Sequence, residues 1–327
     1  MARAFFIVGP TATGKSELAA DLAAESGGEV VGADAFQLYR GLDLLSAKPE
    51  VSILAKVPHH LISTIPLSEE MNAEKYRRAA THVINEINLR GKIAIVGGGS
   101  GLYIKSLTHG LARLPESDPK LREKLNSLES DELRAQLAEL DPETAGKIDI
   151  KNRHRLVRAL EICLLTGRPT SAQRKQWGAH ASIAQRSASC RTETRRQDAD
   201  VSTQDACATG IFVFRDREEL YQRINRRVET MFERGVIDEV RAAGSMSSTA
   251  AQMIGLREIR DLIAGKKTVT QCIAEIQQAT RRYAKRQLTW FRRQSNFFSL
   301  NLSFITHNEA VNWISLRMLP ETGQRDD

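Results

Sequence analysis

The stretch Gly9-Pro10-Thr11-Ala12-Thr13-Gly14-Lys15-Ser16 decides the fold. It has the pattern G-x-x-x-x-G-K-[ST]. Before it, Ala2–Val8 is apolar and β-branched enough for a buried strand. After it, Glu17–Ala24 has helical spacing and stops near Gly27-Gly28. A strand, this loop and a helix form the context of a phosphate-binding P-loop. The glycines let backbone N–H groups converge on an anion, and the helix N-terminus adds partial positive charge. Lys15 neutralises phosphate oxygens, and the Ser16 hydroxyl is suited to ligate Mg²⁺. Gly9 through Ser16 are therefore the candidate diphosphate- or nucleotide-binding residues. Such a loop selects a polyphosphate and does not by itself mean ATP hydrolysis.

Outward from the loop, Glu29–Ala33 reads as a second strand leading to Asp34, Ala73–Leu89 as a helix, and Lys92–Val96 as a third strand before Gly97-Gly98-Gly99. Strands alternating with helices imply right-handed βαβ units and a parallel sheet. Asp34 falls at the ligand edge of such a sheet, where it can bind metal, accept a proton or cap a helix. After Pro115 the pattern turns helical, with Pro119–Leu128, Glu132–Leu140 and Asn152–Thr166; Gly167 and Pro169 close the last of these. Ser171–Thr209 reads as a long polar loop. Ile211–Phe214 returns to the sheet, Asp216–Arg234 and Val269–Phe291 are cationic helices, and Ser303–Thr306 is expected as a last strand. The predicted class is α/β: a P-loop NTPase-like parallel-sheet core with a mainly helical insertion domain. The expected divisions are 1–114 (core, first part), 115–209 (helical insertion with the polar loop) and 210–327 (core completion and basic helices).

Composition bounds the function. The chain has 327 residues, 41% of them hydrophobic, so it can bury a real core. No apolar run reaches the ~20 residues of a membrane helix. Cys163, Cys190, Cys207 and Cys272 have no metal-binding spacing and suggest no disulfide framework, which fits a reducing cytoplasm. Lys and Arg exceed Asp and Glu by 47 − 40 = 7, permitting a polyanionic partner. His59 and His60 lack metal-site partners and read as structural. Trp177, Trp290 and Trp313 read as packing residues.

The chain resembles the tRNA dimethylallyltransferases. The P-loop is followed by Asp34-Ala35-Phe36-Gln37-Leu38-Tyr39-Arg40-Gly41-Leu42-Asp43, continuing to Ala47-Lys48-Pro49. Pro58-His59-His60-Leu61-Ile62 and Gly98-Gly99-Ser100-Gly101-Leu102-Tyr103-Ile104-Lys105-Ser106-Leu107 come next. Asp141-Pro142-Glu143-Thr144-Ala145, Arg155–Glu161 and Thr166–Pro169 follow, and Thr280–Arg292 closes the series. The eight blocks occur in order from about Val8 to Arg292. The chain departs from the pattern at Leu256, where a tyrosine is usual, at Ala35, where serine is common, and in the length of Ser171–Thr209.

The resemblance implies transfer of a dimethylallyl group from dimethylallyl diphosphate to N6 of adenosine 37, beside the anticodon. Asp34 is the implied general base, with Ser100 beside it, and Arg217 joins the P-loop at the diphosphate. The implied tRNA contacts are Asp34, Ala35, Phe36, Gln37, Ser100, Arg122, His154, Arg155, Leu156, Val157, Arg158, Arg257, Arg281 and Lys285. Mg²⁺ is the implied cofactor, held by Ser16; the tRNA anticodon stem-loop and dimethylallyl diphosphate are the implied partners. A cytoplasmic monomer with no membrane association is expected. Read without the family, Arg155 and Arg158 equally suit an amphipathic surface helix, and the Arg281–Arg286 cluster a solvated face. Three rival readings are a P-loop small-molecule kinase, an adenylate isopentenyltransferase and a non-catalytic RNA-binding protein.

Overall fold

In a computed structural model, the described residues are 4–111, 114–149, 152–174 and 210–318. Six parallel strands form one sheet in the order β3-β2-β4-β1-β5-β6: β1 (Ala4–Val8), β2 (Glu29–Gly32), β3 (His59–His60), β4 (Ala94–Gly98), β5 (Gly210–Phe214) and β6 (Phe298–Asn301). β1 lies in the middle, in register with Ala94–Gly98 on one side and with Gly210–Phe212 on the other.

The strand residues alternate between two apolar layers, as the period of two requires. Phe6, Val8, Val31, Val96 and Phe212 enter one cluster with Tyr76, Ala80, Ile84 and Ile87 of the helix Ala73–Leu89. Ile7, Val30, Ile95, Ile211 and Val213 enter the other with Leu18, Leu22 and Ile314. Burial on both faces explains why these strands read as near-continuous apolar runs.

The helix boundaries follow their caps. Gly14 (φ 95°) opens Lys15–Ser26 and Gly27 (φ 65°) ends it. Asn72 accepts from Glu74 N and Lys75 N to start Ala73–Leu89. Thr268 and Gln271 form a capping box on Val269–Phe291.

The described residues from Ala4 to Thr108 and from Gly210 onward form one compact unit, and those from His109 to Arg174 a second. The second is helical. Leu125, Leu133, Leu137, Leu156, Val157, Leu160 and Cys163 make its core. Within it Glu161 is fully buried, accepts from Asp118 N, and receives Arg122 (3.0 Å) and Arg158 (2.5 Å). Removing one partner of such a buried pair costs roughly 3–5 kcal/mol.

Two expectations need correction. The last strand is Phe298–Asn301, not Ser303–Thr306. Ser303 accepts from Asp216 N and donates to Glu219, which pins the chain into a turn and leaves Phe304 76% exposed. The polar stretch after Ser171 begins inside a short helix, Thr170–Arg174; residues 175–209, with Trp177, Cys190 and Cys207, lie outside the described residues. His59 and His60 form the edge strand β3. His59 Nδ1 lies 2.7 Å from the Val57 carbonyl, and His60 Nε2 is paired with Glu29 at 2.7 Å.

Candidate active site

The loop Gly9–Ser16 leaves β1 at the carboxyl edge of the sheet, beside the ends of β2, β4 and β5. Gly9 permits close packing there: a Cβ would lie 2.1 Å from the Val213 carbonyl. Ala12 (φ 64°) and Gly14 (φ 95°) are left-handed and curl the loop. Pro10 O accepts from Thr13 Oγ1 at 3.0 Å and from Lys15 Nζ at 2.9 Å. Three arginines grip the loop. Arg215 donates to Thr13 O at 3.0 Å, Arg223 to Ala12 O at 2.8 Å and Arg227 to Thr11 Oγ1 at 2.9 Å. Desolvation lowers the Lys15 ammonium to about 8; the Asp34 charge opposes this fall and the Arg227 charge adds to it.

Asp34 follows β2. Its Oδ1 accepts from Phe36 N (3.0 Å) and Gln37 N (3.4 Å), capping the turn Ala35–Leu38. One oxygen thus caps a turn, not the helix the sequence allowed for, and Oδ2 is not used in that cap. The Ser100 hydroxyl accepts from Ala35 N at 2.9 Å, tying the end of β4 to this turn. Tyr283, from Val269–Phe291, bonds with the side chains of Ser100 and Gln287. Burial, reinforced by the Asp34 charge, pushes its phenol up, so it stays neutral. Tyr76 and Tyr103, stacked 4.0 Å apart, are pushed up in the same way.

A cavity of about 550 Å³ opens between these elements. Its lining includes Thr11, Ala12, Gly14, Lys15 and Ser16 of the loop together with the charged side chains of Asp34, Lys48, Arg223 and Arg227. It also includes the apolar side chains Leu45, Ile53, Val228, Met231, Met253, Ile254 and Ile276, and Phe36, Gln37 and Tyr283. Ser16 and Asp34 offer hard oxygen donors to one space, which fits a magnesium ion that keeps several waters and phosphate ligands. Gln37 Nε2 donates to Ala47 O at 2.9 Å and to Ser46 O at 3.4 Å, which leaves Oε1 free of these bonds.

Other expected site residues fall elsewhere. Arg217 is not in the cavity lining; its guanidinium stands 5.3 Å over the Tyr221 ring, with Arg281 5.7 Å from the same ring. Lys285 is exposed one turn beyond Arg281. Arg257 is exposed and paired with Glu258 at 3.1 Å. Leu256, at the usual tyrosine position, is buried in an apolar cluster with Leu42, Met253 and Ile276. In the helical unit His154 and Arg155 are exposed at the start of the helix Arg153–Thr166. Leu156 and Val157 are buried in that unit's core, so their side chains face away from solvent, while Arg122 and Arg158 are committed to Glu161.

Arg223, Arg227, Tyr283 and Gln287 went unmarked in the sequence. A signal existed for the arginines: positions 219, 223 and 227 form one i, i+4 row beside the buried row Leu220, Ile224, Val228.

A family model described as IPP transferase matches residues 37–294. The chain is similar to tRNA dimethylallyltransferase 1 of Citrifermentans bemidjiense, with 43% identity covering 89% of this chain and 90% of that one. It is 41% identical to tRNA dimethylallyltransferase of Geobacter sulfurreducens, covering 88% of each. Among solved structures, the full-length tRNA isopentenylpyrophosphate transferase of Bacillus halodurans superposes with a TM-score of 0.64 at 32% identity, covering 97% of each chain.

Proposed function

The chain belongs to the IPP transferase family, and on that premise we propose that it transfers the dimethylallyl group of dimethylallyl diphosphate to N6 of adenosine 37 in tRNA. The observation that carries this reading is a single cavity whose lining joins the phosphate loop and its cations to a set of apolar side chains. Its cations and loop suit a diphosphate, its apolar side chains suit a five-carbon prenyl group, and Asp34 and Gln37 line the same space, within reach of an acceptor base bound there.

In the proposed reaction the N6–C1 bond forms as the C1–O bond to diphosphate breaks. The adenine amine is a poor nucleophile, so both ends need help. Backbone N–H groups of the loop, Lys15, Arg223 and Arg227 stabilise the departing diphosphate, an effect commonly worth ~3–4 kcal/mol per donor. Asp34 takes the N6 proton, and Ser100 holds the adjoining turn at Ala35 N. Mg²⁺ bound by Ser16 would supply further charge neutralisation on the diphosphate. The target base must leave the anticodon-loop stack to reach such a pocket. His154 and Arg155 of the helical unit, and Arg281 with Lys285 of the core unit, are the proposed phosphate contacts.

Incubation with unmodified tRNA, Mg²⁺ and dimethylallyl diphosphate, followed by nucleoside mass spectrometry, should yield N6-(dimethylallyl)adenosine. Saturable ATP binding unaffected by dimethylallyl diphosphate would sink the reading in favour of a kinase. Prenylation of free AMP in preference to tRNA would move it to the adenylate enzymes.

A further inference from the structure

Gln287 is a glutamine almost fully out of water, 6% exposed, on the inner face of Val269–Phe291. Its Oε1 accepts from Thr11 N at 2.9 Å, and its Nε2 donates to Gly99 O at 2.8 Å. The amide orientation is fixed by chemistry, because a backbone N–H can only donate and a carbonyl can only accept. The approach is close enough to require a glycine: a Cβ on Gly99 would lie 2.3 Å from Nε2. Two residues on, a Cβ at Gly101 would lie 2.8 Å from the Trp290 indole, one turn beyond Gln287 on the same helix. Tyr283, one turn before it, bonds to both Gln287 and Ser100.

We propose that Gln287 is a positioning residue: its amide braces the phosphate loop at Thr11 against the chain at Gly99, and so sets the distance between the diphosphate and the Asp34–Ser100 corner. The proposal rests on the transfer reaction argued above. Thr11 N–H is consumed by this brace, so Gln287 acts on where the loop sits rather than on how many donors reach the diphosphate. The direct backbone tie between the loop and β4 is Gly9 N to Gly98 O, at 3.3 Å. Displacement at an allylic carbon needs the amine and the leaving group aligned to within a fraction of an ångström, and a misplacement of 1 Å costs about 10²-fold. The brace therefore belongs to the chemical step and not to substrate affinity.

Gln287→Met keeps the volume and removes both hydrogen bonds. Its single-turnover transfer rate should fall about 10²-fold, while the Kd values for dimethylallyl diphosphate and for tRNA each stay within about threefold. Loss of rate in proportion to loss of both affinities would mean a general packing role and overturn the proposal, as would a rate within threefold of wild type. Hydrogen exchange of the substrate-free protein reads the brace without any assay of transfer. Peptides covering residues 9–16 and 97–104 should both exchange at least tenfold faster in Gln287→Met. In Gln287→Glu, which keeps the acceptor for Thr11 and loses the donor to Gly99, only 97–104 should. Unchanged exchange in Gln287→Met overturns the proposal, whereas a wild-type enzyme that prenylates no tRNA overturns the reaction assigned to the site and leaves the exchange result standing.

Discussion

Asp34 does two jobs with one carboxylate. Oδ1 caps the turn that carries Ala35, Phe36 and Gln37, and the negative charge faces Lys15, Arg227 and Tyr283. Replacing it with alanine removes both the charge and the cap, but Asp34→Asn keeps an acceptor for Phe36 N. Asn should therefore leave tRNA binding by filter assay within about twofold and still lower the single-turnover rate by 10²–10⁴-fold, the range of general-base catalysis. Activity within a few-fold of wild type would remove Asp34 from the base role. Lys15 offers a second reading at this scale. Its folded-state value is about 8 against an ordinary 10.5, so between those limits the unfolded chain binds more protons and folding stability rises with pH. A bound diphosphate reverses the cause, because the anion favours the charged ammonium. Binding of dimethylallyl diphosphate at pH 8.5 should take up protons, and its affinity should fall by up to tenfold per pH unit above about 8. Calorimetry in buffers of different ionisation enthalpy measures that uptake; a binding enthalpy independent of buffer would show that Lys15 is already fully charged in the free site.

At the scale of the element, the helix Arg217–Glu233 decides which arginines reach the loop. Glu219, Arg223 and Arg227 share one row, Arg215 lies just before the helix and pairs with Glu219, and Arg217 shares another row with Tyr221. Arg223→Ala should weaken dimethylallyl diphosphate binding at least tenfold, since it removes a cation from the cavity wall. Arg217→Ala should stay within twofold in the same titration. The contrast also explains what could be read from sequence. The phosphate loop, the parallel sheet and the ends of Ala73–Leu89 and Val269–Phe291 were legible because local chemistry fixes them: a glycine pattern, an asparagine cap and a capping box. Strand β3 was not, because two residues, His59 and His60, carry no period. Ser303–Thr306 looked like a strand because its residues favour one, yet hydrogen bonds to Asp216 and Glu219 turn it. The placement of Arg217, Tyr283 and Gln287 depends on how helices pack on the loop, which no local pattern states.

At the scale of the molecule, a net charge of +7 does not say which cations are uncommitted and open to a polyanion. Arg215, Arg223 and Arg227 are spent on the phosphate loop, and Arg122 and Arg158 on Glu161. Lys48 is engaged with Asp43, and Arg90 and Lys92 with the buried Glu29. Arg281 and Lys285 differ, lying one turn apart on a helix whose other face is buried, with Lys285 exposed. Cations that neutralise RNA phosphates release counterions, and each phosphate contact contributes about 0.7–0.9 to the slope of log K against log salt. The double substitution Arg281→Ala with Lys285→Ala should therefore flatten that slope by roughly 1.4–1.8 and weaken tRNA binding at low salt. Arg158→Met should do the reverse: the salt slope stays as in wild type, and thermal stability drops because Glu161 is left buried beside one arginine. Filter binding across a salt series and a melting curve on each variant separate the two. An unchanged slope in the double variant would return that helix face to ordinary solvation, and a flattened slope in Arg158→Met would move that arginine from the core network to the RNA.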